Sequence, residues 1–252
     1  MSVGKPAEEI EKYAAVRVDD SGEIDIYEKS LLWGVIRRKE LAIILDNIWS
    51  HKPMLILDYG CGAGWLSAFL ARKGFKVVGI DISVSLLRRA KRVCHEAEFI
   101  ACDAENLPFK DSTFDFVVGV AILHHLNLER SCKEIRRVLK NKSKFIFFEP
   151  NSLNPPSAIG RKFFPTEAHT KGERQFTPNF LKATLHNVGF NLEKCSTSFF
   201  ISFPLARLFK ITGIRPHPYL IGIISLFENA MEKLPRIKQL NSTIVLEGTL
   251  HK

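Results

Sequence analysis

The feature that most constrains this 252-residue chain is an alternation: between Met54 and Glu149, five short apolar runs are separated by longer amphipathic stretches. Residues 54–58 (MLILD), 76–81 (KVVGID), 98–103 (EFIACD), 114–120 (FDFVVGV) and 144–149 (KFIFFE) are too short for helices and are bounded by Asp, Gly or Pro, so each reads as a buried strand. Helices are expected between them. Residues 65–73 follow a glycine loop and stop at Gly74, Ser83 caps a helix running through Val93, and residues 128–139 put Cys132, Ile135, Val138 and Leu139 on one face. Strands that alternate with helices form a parallel sheet covered on both faces, an α/β fold that binds ligands at the carboxyl ends of its strands.

Each run ends in, or leads at once to, a residue with chemistry to offer: Asp58, Asp81, Asp103, His124 with His125, and Glu149. Gathered on one rim, they make that edge the expected active site. Beyond Glu149 the pattern loosens. Residues 150–174 are rich in Pro, Asn and Ser and read as a long irregular insertion. Thr177 and Pro178 start another helix that runs to about Val188 and stops at Gly189, and residues 190–198 and 242–250 read as two late strands. Between those strands lies a second, strongly apolar insertion at residues 199–235.

The loop Asp58-Tyr59-Gly60-Cys61-Gly62-Ala63-Gly64 follows a strand and opens a helix. Glycines there let the backbone turn tightly and approach a ligand. A dinucleotide fingerprint needs a further glycine at position 65, where Trp65 would obstruct a pyrophosphate. Asp81, at the end of the second run, is suited to accept both ribose hydroxyls of an adenosine, and Asp103 to accept from an adenine amino group. Taken singly, either carboxylate reads equally well as a turn or helix-capping residue.

The segments LILDYGCGAGWLSAFLARKGFKVVGIDIS, CDAENLPFKDSTFDFVV, AILHHL and RRVLK…FIFFEPN, in that order and spacing, resemble the class I S-adenosylmethionine (SAM)-dependent methyltransferases, in the branch acting on small molecules, lipids and quinones. The resemblance covers about residues 47–190. It implies a Rossmann-like, doubly wound, mostly parallel sheet of seven strands in the order 3-2-1-4-5-7-6, with the seventh antiparallel and helical insertions added. It also implies a cofactor site: Asp58, Gly60, Gly62 and Gly64 around the methionine part of SAM, Asp81 on the ribose, Ile82 against the adenine, Asp103 and Ala104 at the adenine edge, and Ala121 beneath the sulfonium. The family's Pro-Gly-Gly turn before the fifth strand is replaced by Asn141-Lys142-Ser143. Residues 1–46 are expected to form an N-terminal helical lid, with Tyr13, Tyr27, Arg37 and Arg38 as its candidates for closing over the cofactor. By the same resemblance, residues 47–252 are expected to form the methyltransferase domain, with insertions at about 150–175 and 199–238.

Methyl transfer to a hydroxyl or activated carbon needs a proton acceptor, and His124, His125 and Glu149 are the candidates on the rim, with His169 a further one in the first insertion. Asn154-Pro155-Pro156-Ser157 superficially resembles the Asn-Pro-Pro-aromatic motif of amino-directed nucleic-acid methyltransferases. It follows the wrong strand and ends in Ser, so it reads as a loop stiffener.

The net charge of +9 admits a nucleic-acid or anionic-membrane partner, but the basic residues are spread over helix faces and a turn, where a solvated surface explains them. Five cysteines without a CxxC pair read as small core residues of a reducing, cytoplasmic compartment, no metal is expected, and the first residues lack the apolar stretch of a signal peptide. The late insertion reads either as an apolar cap over the active site or as an interfacial, lipid-gripping element; its basic residues and prolines exclude a bilayer-spanning helix. Both versions favour a small apolar or lipid-linked acceptor. An RNA (tRNA) methyltransferase and a SAM-binding regulatory protein without turnover stand as alternatives. The acceptor atom and the oligomeric state are not legible.

Overall fold

The computed structural model describes residues 31–48, 54–163 and 176–252. Tyr13, Tyr27 and His169 lie outside them. Seven strands form one sheet: β1 (Leu55–Tyr59), β2 (Lys76–Asp81), β3 (Glu98–Ala101), β4 (Phe114–Val120), β5 (Leu139–Pro150), β6 (Phe190–Ser198) and β7 (Thr243–Leu250). Their order is β3-β2-β1-β4-β5-β7-β6. The pairings among β1 to β5 are parallel, and β7 runs antiparallel to both β5 and β6.

The strands are nearly continuous apolar runs because both faces of the sheet are covered. Alternate residues feed opposite cores. Leu57, Tyr59, Val117, Phe145 and Phe147 pack on one face with Cys132 and Ile135 of α4 (Leu128–Val138) and with Leu181 and Leu185 of α6 (Pro178–Val188). Ile56, Phe116, Val118, Ile146 and Phe148 pack on the other with Ile44 and Ile48 of α1 (Leu31–Ile48) and with Leu66 and Leu70 of α2 (Trp65–Arg72). The helix starts lie where the sequence marks them. Ser83 caps α3 (Val84–Val93) by accepting from Leu86 N, Asn127 caps α4 through Arg130 N, and Thr177 caps α6 through Phe180 N.

Three local differences from the sequence reading have physical causes. β5 is longer than expected and begins directly after α4, so residues 141–143 lie within a strand; the left-handed residue is Lys142 (φ 60°), not Asn141. The first insertion, read as irregular, contains α5 (Pro155–Phe163). Asn154 starts it by accepting from Ser157 N (2.7 Å), and two prolines are tolerated in a first turn whose N–H groups lack intrahelical partners. The same Asn154 donates through Nδ2 to Phe200 O (2.8 Å) and Leu240 O (2.7 Å), tying α5 to the late insertion.

That late insertion folds into a helical hairpin, α7 (Ser202–Thr212) and α8 (Pro218–Lys233). Buried Glu228 of α8 accepts from the backbone N–H groups of Phe200, Ile201 and Ser202, fixing the start of α7. Leu32 and Ile36 of α1 pack with Phe199, Ala206, Ile221 and Ile224 in a third core, so one helix bridges sheet and hairpin.

Towards the end of β7, a Cβ on Gly248 would lie 2.5 Å from the Asn191 carbonyl oxygen and 2.6 Å from the Phe145 ring. Gly248→Ala is therefore expected to destabilise the chain by about 1–3 kcal/mol through overpacking. A lowered thermal midpoint by circular dichroism checks this; an unchanged midpoint contradicts it.

Candidate functional site

Parallel strands bring the carboxyl ends of β1, β2, β3 and β4 to one edge, and a cleft opens there. The loop after β1 is pinned by Cys61 N donating to Ile80 O (2.8 Å) and by Gly64 N donating to Cys61 O (2.9 Å). Gly60 turns at φ 76°, and a Cβ there would lie 2.5 Å from the Ile122 side chain, so both conformation and space demand glycine. Across the loop, Asp81 accepts from Gly62 N (2.9 Å) and Ser83 N (2.9 Å), which fixes the direction of its carboxylate.

The resulting cavity of about 260 Å³ is lined by Gly60, Gly62, Asp81, Ile82, Asp103, Ala104, Ala121 and His125, all candidates from the sequence. Trp65, Leu86, Ile122 and Leu126 supply apolar walls, and Arg37 reaches in from α1. Asp103 is held by accepting from Glu105 N (2.9 Å), and the Tyr59 hydroxyl donates to Ala104 O, fixing the neighbouring corner. Carboxylates, an arginine and apolar walls suit a ligand with sugar hydroxyls, a flat ring and a charged end.

Asp58, Gly64, His124 and Glu149 do not line the cleft, and neither does exposed Arg38. Asp58 is buried behind it and accepts from Ser67 Oγ (2.6 Å), joining the end of β1 to α2; burial pushes its carboxyl up to about 7. Gly64 turns at φ 82° against Ala90 of α3. Glu149 is buried and accepts from Ile122 N (3.0 Å), Leu123 N (2.8 Å) and His124 N (3.3 Å), while His124 Nδ1 lies 2.7 Å from its Oε2. Glu149 therefore holds the turn leaving β4, in which the rings of His124 and His125 stand 3.9 Å apart.

In the same turn Ala121 has φ 56°, an uncommon conformation for a residue with a side chain, secured by its N–H donating to Phe148 O (2.7 Å). Ala121, Val120 and Arg37 line both the cleft and a second, mostly apolar cavity of about 690 Å³. That cavity is enclosed by Trp33 and Glu40 of α1, Phe148 and Glu149 of β5, Pro156 and Ile159 of α5, and one side of α7. The Arg37 guanidinium lies 4.3 Å from the Trp65 ring centre and pairs with Glu40, whose carboxyl burial raises above the usual range. Trp33, Glu40 and the chamber walls from β4, β5 and α5 were missed by sequence reasoning, whereas those from α7 lie in the apolar insertion that the sequence offered as a cap. The signal for the first two was the spacing of Trp33, Arg37 and Glu40, which share one helix face.

A larger depression of about 840 Å³ lies between α4 and α6, away from the rim, with Arg136, Arg137 and Lys252 in its lining. Arg137 is committed there to Glu134 and Asp111, so size does not mark the site. Among the described residues no cluster of His, Cys, Asp or Glu could hold a metal.

Residues 57–147 match the family model described as a methyltransferase domain. The chain is similar to an uncharacterised protein of Methanocaldococcus jannaschii (39% identical over 126 residues, 50% of this chain and 52% of that protein). It is similar also to a demethylmenaquinone methyltransferase of Thermotoga maritima (31% over 151 residues, 58% of this chain and 64% of that protein). The matches thus span about half to under two thirds of those relatives' lengths. Among solved structures, a SAM-dependent methyltransferase of T. maritima described as a possible histamine N-methyltransferase superposes with a TM-score of 0.59 at 20% identity, covering 96% of this chain and 99% of that one. It shares the fold.

Asp58 gives this region a pH signature. A carboxyl whose pKa is raised on folding binds its proton more tightly folded than unfolded, so stability falls as pH climbs from about 4 to about 7 and is flat above that window. Asp58→Asn is expected to reduce that decline, read as unfolding midpoints of the two proteins in denaturant across the window. Glu40 is raised too and shifts both proteins alike, so the difference between them is the readout. Identical pH dependence in both proteins contradicts the assignment.

Proposed function

We propose that the chain, whose residues 57–147 match a methyltransferase-domain model on a sheet of the order β3-β2-β1-β4-β5-β7-β6, is a class I SAM-dependent methyltransferase that transfers a methyl group to a small apolar or lipid-like acceptor. The carrying observation is the pair of joined cavities: a cleft with carboxylates and an arginine, and an apolar chamber, sharing Arg37, Val120 and Ala121 as their common wall.

In this reading Asp81 accepts the ribose hydroxyls of SAM, Ile82 and Leu126 flank the adenine, and Asp103 with Ala104 meets its edge. The tight loop of Gly60 and Gly62 receives the methionine end, with Arg37 as the cation for its carboxylate. Gly64 lets that loop enter α2, and Asp58 anchors the loop from behind. Bound SAM supplies an electrophilic methyl group.

The chain's own task is then alignment and exclusion of water. Orientation alone contributes about 7–11 kcal/mol in favourable systems. Phe148, Phe203 and Leu205 give the chamber apolar walls. Ala121, small and held in its strained conformation, leaves an opening toward the cleft. Glu149 serves as a positioning residue: a carboxylate at Nδ1 of His124 holds the ring in the tautomer whose Nε2 can accept a proton. His125, on the cleft wall, is the other proton acceptor to weigh. Such a step is worth roughly 100- to 10,000-fold.

Carbon, quinone and lipid-like acceptors fit the chamber better than RNA does. Lys39, Lys133, Arg137, Lys140 and Lys194 are each paired with a carboxylate, which breaks up the basic charge that a nucleic acid would need as a stripe. A binding protein without turnover has no use for an apolar chamber beside the cleft.

Two measurements test this reading. Asp81→Ala is expected to weaken SAM binding about 100-fold by calorimetry with the circular dichroism spectrum retained, since charge-assisted hydrogen bonds to two hydroxyls are lost; wild-type affinity sinks the cofactor site. SAM with a radioactive methyl group, incubated with the protein and a lipid-containing cell extract, is expected to label the organic phase. Label in precipitated RNA overturns the acceptor class, and binding without label in any fraction overturns the transferase reading.

A further inference from the structure

Of the thirteen large apolar side chains left exposed among the described residues, nine lie between Leu208 and Leu234, on or beside the hairpin of α7 and α8. α8 is apolar around most of its first ten residues, PYLIGIISLF. Ile221 and Ile224 turn inward to the core formed with Leu32 and Ile36. Tyr219, Leu220, Ile223, Leu226 and Phe227 face outward, Tyr219 and Leu226 at 76% and 72% exposure. A helix apolar on all sides is normally buried, and a contiguous exposed apolar patch marks an interaction surface.

The charge of the hairpin narrows the partner. Residues 202–227 carry Arg207, Lys210 and Arg215 and no Asp or Glu. Lys210 and Arg215 are exposed among exposed Ile211, Ile214 and Tyr219. Apolar side chains interleaved with cations alone are complementary to an anionic lipid surface. The opening of the apolar chamber lies on the same face, because Leu208, Lys210 and Ile211 both line the chamber and are exposed. A second copy of the chain suits the patch poorly, since a two-fold interface built on it would set these cations against like charges. A protein cap would close the chamber's opening.

We propose that the α7–α8 hairpin docks on a bilayer containing anionic lipid. Its outer apolar face sits at the boundary of headgroups and acyl chains, and the chamber opens toward the lipid, so that an apolar acceptor enters from the membrane without crossing water. The docking is peripheral: among the described residues no helix is long and apolar enough to cross a membrane, and Gly213 with the prolines at 216 and 218 breaks the apolar run. The route of the acceptor rests on the proposed transfer to an apolar molecule; the docking itself does not.

Co-sedimentation of the full chain with vesicles tests the docking, using phosphatidylcholine alone and phosphatidylcholine mixed with phosphatidylglycerol. The chain is expected to sediment with the mixed vesicles, less so as salt is added. Leu226→Asp combined with Ile223→Asp is expected to weaken partitioning at least about tenfold, and Arg215→Gln about fivefold. These residues line neither cavity, so SAM affinity by calorimetry is expected to stay at the wild-type value in all variants. Leu226→Ser provides the same comparison with a milder change. Wild-type protein that ignores both vesicle types overturns the proposal, as does vesicle binding that survives the combined Leu226→Asp and Ile223→Asp substitutions. A dimer that Leu226→Asp dissolves, with no vesicle binding, assigns the face to a second copy instead. Sedimentation reads the hairpin and calorimetry reads the cleft, so failure of one leaves the other standing.

Discussion

A single buried carboxylate holds the site together. Glu149, at the end of β5, gathers the N–H groups of Ile122, Leu123 and His124 and the ring of His124. A buried anion is stable only when hydrogen-bonded on this scale, and here the partners are the turn leaving β4. That turn carries Ala121, which divides the cleft from the chamber, Ile122, which packs where a Gly60 Cβ would sit, and His125 on the cleft wall. Loss of the Glu149 carboxylate would leave three backbone donors without this partner and free the wall between the cavities. The same residue thus fixes the end of β5 and the turn that walls the cleft.

The second organising constraint is that α1 belongs to two cores at once. Ile44 and Ile48 pack on the sheet, Leu32 and Ile36 on the hairpin, and the stretch between them aims Arg37 and Glu40 at the junction of the cavities. Lys39 pairs with Glu232 of α8 on the other side. Arg37 is held over Trp65, so the cation in the cleft, the aromatic wall and the apolar chamber are registered to one another by a single helix. The hairpin is therefore part of the wall of the apolar chamber rather than an appendage to the sheet.

Much of this was legible in the residues. The strands up to β4 were readable because parallel strands buried on both faces are short apolar runs, and the caps at Ser83 and Thr177 and the stop at Gly189 have local chemistry that declares itself. The rim carboxylates and glycines announced the cleft, and nine of the candidates named from the sequence line it, Arg37 included. What the sequence hid depends on contacts distant along the chain. Whether Glu149 faces solvent or swallows three N–H groups is decided by β4, nearly thirty residues away. Asn154-Pro155-Pro156 looked like a stiff loop because prolines suppress the helical pattern, although a first helical turn accommodates them. Glu40 offered only its spacing from Trp33 and Arg37, and its burial is a property of the hairpin packed against it.

The most direct test of the account is a crystal structure of the chain with S-adenosylhomocysteine, the product left when SAM gives up its methyl group. The account predicts ribose hydroxyls at Asp81, adenine beside Ile82 and Leu126, and the sulfur at Ala121, facing the apolar chamber. Density elsewhere on the chain, or a sulfur directed away from that chamber, would contradict it.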